Sequence, residues 1–457
     1  MRPVNATAVP SGTDDCAAPP VGVGPRVLLV GENASMKMGG EASFPYLYFK
    51  LLRARGIETF LACHSRVRDE VKVLLGDDFD RVAFVEEFAL DVRLWRLGNR
   101  LPAKLSEETV GVLRHVLTRR KLRRVVRALV ARHAIDVIHE VTPISPKMPT
   151  CLHGLGAPVV IGPMCGGMDY PPAFQSMQGR IERLVEWSGR LASGMVNRVV
   201  PGKLRADALI VANDQTKRAL PRGCRGTIHE GIPDIGVDLG VWGRDRPRRE
   251  PQAGAPVRFI FLGRLVGWKG VELLLEAFAR VAGAHPGVAL KVLGDGPLRL
   301  PLEAKAERLG VGGQVEFAGW VQAAEGAARM ADADVFVLPS LRECGGSAVF
   351  EAMALGMPVV VANWGGPGIY VNDECGIRVA VESREGYVAG LAEAMLRLAR
   401  DPLLRMRMGA AARRHAEGGV FNWDRKIDRI LDIYRSVLPG AARSPAPTRR
   451  DDAERGP

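Results

Sequence analysis

Short runs of apolar, often β-branched residues recur along the chain, and several are followed by apolar positions at helical spacing. "RVLLV" (26–30) comes first and precedes a helix predicted from about Glu41 to Arg55. "IETFLAC" (57–63), "RVAFV" (81–85), "IDVIHE" (135–140), "PVVIG" (158–162) and "DALIVA" (207–212) continue the series. Runs that are apolar on both faces fit strands of a parallel sheet covered by helices on each side. The series stops at "GVWGRDRPRREPQAGAP" (240–256), whose Gly, Pro and Arg content is that of a linker. It restarts with "VRFIFLG" (257–263), "VALKVLG" (288–294), "QVEFAG" (314–319), "ADVFVLP" (333–339) and "MPVVVA" (357–362).

This pattern predicts an α/β protein of two doubly wound, Rossmann-like domains, at 25–239 and 257–420. A final helical stretch, 421–437, is apolar on one face and is expected to pack back on the first domain. Residues 1–24 and 439–457 read as a disordered leader and tail, being rich in Pro, Gly, small and charged residues.

Composition narrows the class. A chain of 457 residues, 47% apolar and 25% charged, suits a soluble globular protein of two or three domains. It has no run of eighteen apolar residues, so no spanning helix is expected. Seven cysteines without a CxxC pair argue against a zinc site or a disulfide framework and fit a reducing cytoplasm. The net charge is +12, and residues 93–133 hold twelve Arg or Lys against two acids, including "RRKLRR" at 119–124. That stretch reads either as a solvated helix face or as a surface for anionic lipid head groups or an anionic acceptor. Nucleic acid is not expected, because neither an aromatic-studded basic strand nor zinc-finger spacing accompanies the charge.

In doubly wound sheets, ligands bind outside the carboxyl ends of the strands. The unusual residues fall there. After the first run, Gly39 and Gly40 precede a helix and allow backbone amides to approach a phosphate. After "VRFIFLG", Arg264 and Lys269 flank a turn opening a helix at 269–284, which together describe a diphosphate site. "GDGP" (294–297) is a turn whose main chain can meet a ligand. After "ADVFVLPS" comes "RECGGSAVFEAMALGMPVVV" (342–361). Glu343 stands in the loop; Gly346, Ser347 and Ala348 start the helix with free amides; Glu351 projects from its second turn. A carboxylate accepts two hydrogen bonds from a vicinal diol, so the two glutamates read as diol binders around one anion-binding helix end. The bland alternative for Glu351, a solvated helix residue, sits poorly with its apolar surroundings.

The stretch "FLGRLVGWKG … LGDGP … VEFAGW … ADVFVLPSLRECGGSAVFEAMALGMPVVVANWGG" resembles the nucleotide-sugar-dependent glycosyltransferases of family 4, which have the GT-B fold. The likeness covers the second domain and its Glu-x7-Glu spacing, and is weaker over the first. It implies two Rossmann-like domains facing a cleft and transfer of a sugar with retention of configuration. It also implies a donor bound mainly by the second domain, no metal and no other cofactor. Arg264 and Lys269 then match the cations on the donor diphosphate, Glu343 the glutamate beside the transferred sugar, and Glu351 the one on the ribose. Gly346, Ser347 and Ala348 match the backbone around sugar and phosphate, and Gly40 the first-domain glycine at the phosphates. His139 matches a strand-end histidine near the reacting centre. Cys344 and Gly345 depart from the family's Pro and aromatic, and "HEGIPDIG" (229–236) from its Asn-Gly-Ile/Val-Asp. "GPMCGGMDYPP" (162–172) resembles a subgroup met in bacterial polysaccharide assembly.

The expected partners are thus a nucleoside-diphosphate sugar and a glycan or lipid-linked acceptor, with the chain cytoplasmic or peripheral at the inner face of the membrane. The same fold also hosts nucleotide-sugar epimerases and phosphorylases, and a degenerate, non-catalytic binding subunit is a third possibility. Of the two Asp-x-Asp sequences, "DFD" (78–80) and "DAD" (332–334), the second directly precedes a buried strand, where an Asp more often caps than binds metal.

Overall fold

The structure is a computed structural model and describes residues 24–38, 40–100, 106–179, 193–243 and 255–440. Two parallel sheets form its two lobes. The first has β1 (Val27–Val30), β2 (Thr59–His64), β3 (Val82–Val85), β4 (Val137–Glu140), β5 (Val159–Met164), β6 (Ala208–Val211) and β7 (Thr227–Glu230), in the order β3-β2-β1-β4-β5-β6-β7. The second has β8 (Val257–Leu262), β9 (Val288–Leu293), β10 (Val315–Gly319), β11 (Val335–Leu338), β12 (Val359–Ala362) and β13 (Gly376–Val379), in the order β10-β9-β8-β11-β12-β13. The strand order therefore reverses beside β1 and β4 in one lobe and beside β8 and β11 in the other. Such switch points leave a crevice at the carboxyl ends of the strands.

The expected two-domain architecture is present. Two edge strands, β7 and β13, escaped the hydrophobic pattern. "TIHE" and "GIRV" are only four residues long and mix polar with apolar residues, so neither gives an apolar run.

The boundary between lobes lies upstream of the segment whose composition marked it. Ile232 belongs to the first lobe's core, whereas Val237 and Trp242 belong to the second's. The chain crosses over 232–237, and of the Gly/Pro/Arg-rich stretch 240–256, residues 244–254 lie outside the described residues. Polar composition marks exposure there, not the point of crossing. The return crossing runs beside the first: Val237 N donates to Phe421 O at 2.8 Å. Phe421 is in the second core, while the helix Trp423–Val437 buries Ile427, Ile430, Leu431, Ile433 and Tyr434 in the first.

β4 shows how period-2 alternation distributes chemistry. His139 faces one layer and Glu140 the other, and both are 0% exposed. Glu140 meets the buried Arg119 at 2.6 Å, and Arg119 also donates to the carbonyl of Thr142 at 2.7 Å. Lys203 is buried nearby, its Nζ 2.7 Å from Ser145 O; burial pushes its pKa down to about 7, against the pull of Glu140. Removing one partner of a buried ion pair strands the other, at a cost of about 3–5 kcal/mol. Glu140→Ala should therefore lower unfolding stability by about that much in urea titration. A loss below about 1 kcal/mol would show that Arg119 finds water or another partner.

Candidate active site

The second lobe's switch point is built by backbone meeting backbone. A Cβ on Gly270 would stand 2.4 Å from Pro339 O, and one on Gly294 would stand 1.9 Å from Gly263 O. Only glycine permits that approach, so the loops after β8, β9 and β11 close on one another. This packing brings Lys269 to Glu343. Their side chains form an ion pair and are 17% and 16% exposed. Ser340 Oγ lies 3.2 Å from the same Glu343 oxygen. Arg264 is exposed, with no side-chain partner among the described residues.

Beyond Glu343, Gly346 takes φ +77° and sits at the N-cap of the helix Ser347–Ala354. No side chain caps that helix, and Ser347 is exposed with Ala348 half-buried, so its first amides face the crevice. Glu351 is half-buried one turn further on and has no side-chain partner among the described residues. Burial alone pushes its pKa up to about 7. The two glutamates thus differ: Glu343 is held by a cation, while Glu351 is a carboxylate without one.

The departures at Cys344 and Gly345 have steric reasons. A Cβ on Gly345 would lie 2.8 Å from Ile235 Cδ1, on the crossing segment, so an aromatic does not fit. Cys344 is joined to Cys165, from the loop after β5. The lack of a CxxC pair argues against a disulfide framework; this pair joins loops of the two lobes. A separation of 179 residues carries no spacing signal.

In the first lobe, Gly39 lies outside the described residues. Gly40 takes φ +53° with no atom within 4 Å of where a Cβ would be, an open position before the helix Phe44–Arg53. His139 does not reach the crevice, which corrects its assignment to the reacting centre. Its Nδ1 is 2.6 Å from Tyr434 Oη and its Nε2 is 2.6 Å from Gly162 O. With both nitrogens engaged and burial pushing its pKa down to about 4, it is a neutral strut between the sheet and the C-terminal helix.

Asp334 of "DAD" lies at the amino edge of its sheet, opposite the crevice, where it accepts from Arg258 N at 2.9 Å. Asp78 of "DFD" pairs with Arg53 and Arg81. The basic stretch 119–124 is partly structural too. Arg119 is buried, Arg123 donates to the carbonyls of Cys151 and His153, and Lys121 stands 3.8 Å over the Phe88 ring. Arg120, Arg124 and Arg127 remain exposed. Among the described residues no helix is long and apolar enough to cross a membrane.

Comparison with known proteins adds to this geometry. Residues 244–415 match the family model described as glycosyl transferases group 1. The second lobe is a glycosyltransferase group 1 domain. The chain is 37% identical over 195 residues to the lipopolysaccharide core biosynthesis glycosyltransferase LpsE of Rhizobium meliloti (strain 1021), covering 42% of this chain and 53% of that protein. It is 36% identical over 222 residues to the D-inositol 3-phosphate glycosyltransferase of Segniliparus rotundus, covering 46% of this chain and 47% of the relative. The chain thus spans about half the length of the curated relatives it matches. In fold, it superposes on a glycosyltransferase from Rickettsia africae with TM-score 0.59 at 14% identity, over 91% of this chain and 99% of the other. It superposes on Anabaena HepE in complex with UDP with TM-score 0.57 at 17% identity, over 89% of this chain and 100% of the other. The two sheets and these neighbours give the GT-B fold.

Sequence reasoning missed Ser340, Cys165 and the crossing residues Asp234 and Ile235. Asp234 is 5% exposed, and its Oδ1, without a hydrogen-bond partner, would lie 3.4 Å from a Cβ on Gly345. The Pro-Asp step in "HEGIPDIG" was the available signal.

Glu351 makes a pH test. Its carboxyl binds a proton more tightly folded than unfolded, so its contribution to stability is complete below about pH 4.5 and is lost as pH rises through about 7. A shift from 4.5 to about 7 corresponds to up to about 3 kcal/mol. The stability advantage of Glu351→Gln over the parent should widen by that order between pH 4.5 and 8, measured by urea unfolding. A gap that stays constant would mean that the carboxylate is solvated or paired.

Proposed function

We propose that the protein transfers a sugar from a nucleoside-diphosphate sugar to a glycan or lipid-linked acceptor, with retention of configuration and without a divalent metal. The observation that carries this reading is the pairing of Lys269 with Glu343 beside an uncapped helix end, with the unpartnered Glu351 one turn inside. The group 1 match over residues 244–415 supports it. UDP, which the HepE structure holds, is the first nucleotide to try, with GDP and ADP beside it.

The leaving group is a diphosphate that gains negative charge as the glycosidic bond breaks, so it needs fixed positive charge more than a proton donor. Arg264, Lys269 and the amides at Ser347 and Ala348 supply it. When the diphosphate engages Lys269, Glu343 loses part of its cation and turns its carboxylate to the hydroxyls of the sugar. Glu351 accepts from the two ribose hydroxyls. The acceptor's proton passes to the departing phosphate oxygen on the same face. We place the setting in bacterial envelope or exopolysaccharide assembly, with Arg120, Arg124 and Arg127 resting on an anionic membrane.

The two glutamates should separate experimentally. A lost charged hydrogen bond is worth about 1.5–3 kcal/mol, or roughly ten- to hundredfold. Glu351→Ala should weaken free UDP by that factor in isothermal titration, and UDP should bind the parent more tightly as pH rises through about 7. Glu343→Ala should leave UDP affinity within a few-fold and lower kcat. The assignment fails if Glu343→Ala loses nucleotide and Glu351→Ala does not.

The metal-free reading has its own check. Turnover should survive EDTA, and activity abolished by EDTA and restored by Mn²⁺ would overturn it.

A further inference from the structure

A cavity of about 780 Å³ opens at the carboxyl edge of the first lobe's sheet, beyond β5 and β6. Among the described residues, four cationic side chains line it, Lys147, Arg198, Arg218 and Arg222, against one acid, Asp169. They come from separate segments: the loop after β4, the helical stretch 193–199, the helix Asp214–Arg218 and the turn that follows it. Arg198 and Arg222 are exposed and have no side-chain partner among the described residues, while Arg218 pairs with Asp214 at 2.5 Å. Cations converging on a concave, low-dielectric wall focus positive potential. The guanidinium fork matches a phosphate in shape.

The cavity adjoins the candidate active site. Trp364, from the second lobe, forms part of its wall, and Trp364 Nε1 donates to Asp169 O at 2.9 Å. The same turn continues to Gly366, whose N–H donates to Glu343 O at 2.9 Å. One turn of backbone therefore separates the cavity from the glutamate assigned to the transferred sugar. The loop 165–170 makes the neighbouring wall: Cys165 is bonded to Cys344, Arg342 donates to Met168 O at 2.8 Å, and Tyr170 faces the cavity. The rim is apolar. Met195 is 57% exposed, and Val199, one helical turn on, is 75% exposed. Cations inside, an aromatic wall towards Glu343 and an apolar lip together suit a ligand with a charged phosphate, a sugar and an apolar chain.

We propose that this cavity is the acceptor subsite and that it takes an acceptor sugar carried on a phosphate or diphosphate ester, the phosphate held by Lys147, Arg198, Arg218 and Arg222. The proposal rests on the transferase reading for the word acceptor; the anion site itself does not. The phosphate can belong to a lipid carrier or to a soluble sugar phosphate, and the apolar lip favours the lipid.

The test uses the full chain saturated with UDP, so that the donor's diphosphate site is filled. Inorganic pyrophosphate and farnesyl diphosphate are titrated by calorimetry at low and high NaCl. Both should bind, pyrophosphate more weakly as salt rises. The double variant Arg198→Gln/Arg222→Gln should lose at least tenfold in pyrophosphate affinity and keep the parent's UDP affinity. Farnesyl diphosphate binding more tightly than pyrophosphate, with the excess removed by Met195→Ser, identifies a lipid-borne phosphate; equal affinities identify a soluble one. Failure of UDP-loaded protein to bind pyrophosphate, or binding that the double variant retains, overturns the proposal. If none of UDP, GDP and ADP binds, the transferase reading falls, and the double variant against pyrophosphate alone still decides the cavity.

Discussion

One buried ammonium holds the two lobes in register. Lys426, on the C-terminal helix, is 0% exposed, and its Nζ is bonded to the carbonyls of Asp234 and Ile235 on the outgoing crossing. It also lies 4.3 Å over the Trp423 ring, on the returning one. Gly236 fits beneath that ring because a Cβ there would come within 2.7 Å of it. The two crossings are thereby one object, and the crevice geometry depends on it. Burial pushes the lysine's pKa down and that of Asp234 up, and their mutual attraction opposes both shifts. A buried charge is tolerated only where it is paired or multiply hydrogen-bonded, so this cation leaves the crossings little freedom to slide.

A second tie operates on the far side of the same loop. The Cys165–Cys344 bond joins the first lobe's loop to the residue after Glu343, and Gly166 N, Asn213 Nδ2 and Thr216 Oγ1 lie 3.1, 3.5 and 3.6 Å from Cys344 Sγ. Gly345 touches the crossing and Cys344 touches the first lobe. The loop that carries Glu343 is therefore gripped from both directions. An aromatic at 345 would have to displace Ile235, which explains why this chain departs from the family pattern there.

Most of the fold was legible because a parallel sheet buries both faces of its strands, and the resulting apolar runs stand out. β7 and β13 did not, since each is four residues long with polar residues among its apolar ones, whereas the edge strands β3 (VAFV) and β10 (VEFAG) are mostly apolar. Sequence could nominate residues wherever they sit at a strand's carboxyl end in a short motif, as with Arg264, Lys269, Glu343 and Glu351, and the fold brings Lys269 to Glu343. The site was not legible where pairing is distant. His139 had the right strand position, but which face it takes follows from the pleat and from Tyr434, 295 residues away. The run "RRKLRR" read as surface charge because sequence does not reveal that Arg119 turns inward to Glu140. Asp334 was expected to cap the preceding helix or turn; it accepts instead from Arg258 N on the neighbouring strand, a pairing that sequence does not reveal.

If the proposed function holds, the donor site rests in an ion pair, and that has a physical reason. Lys269 and Glu343 both lie mostly out of water, and either alone would pay a desolvation cost. Paired, each holds the other in place while the crevice is empty. A diphosphate brings its own negative charge to Lys269 and a sugar brings hydroxyl donors to Glu343. A whole donor thus offers a replacement to both partners, whereas a free nucleotide replaces only one. Glu351 behaves differently: nothing satisfies it in the empty crevice, so a ribose diol relieves a penalty already present. The first glutamate on this reading discriminates complete donor from spent nucleotide, and the second supplies affinity common to both. That division lets the product, which lacks the sugar, restore the Lys269–Glu343 pair as it leaves.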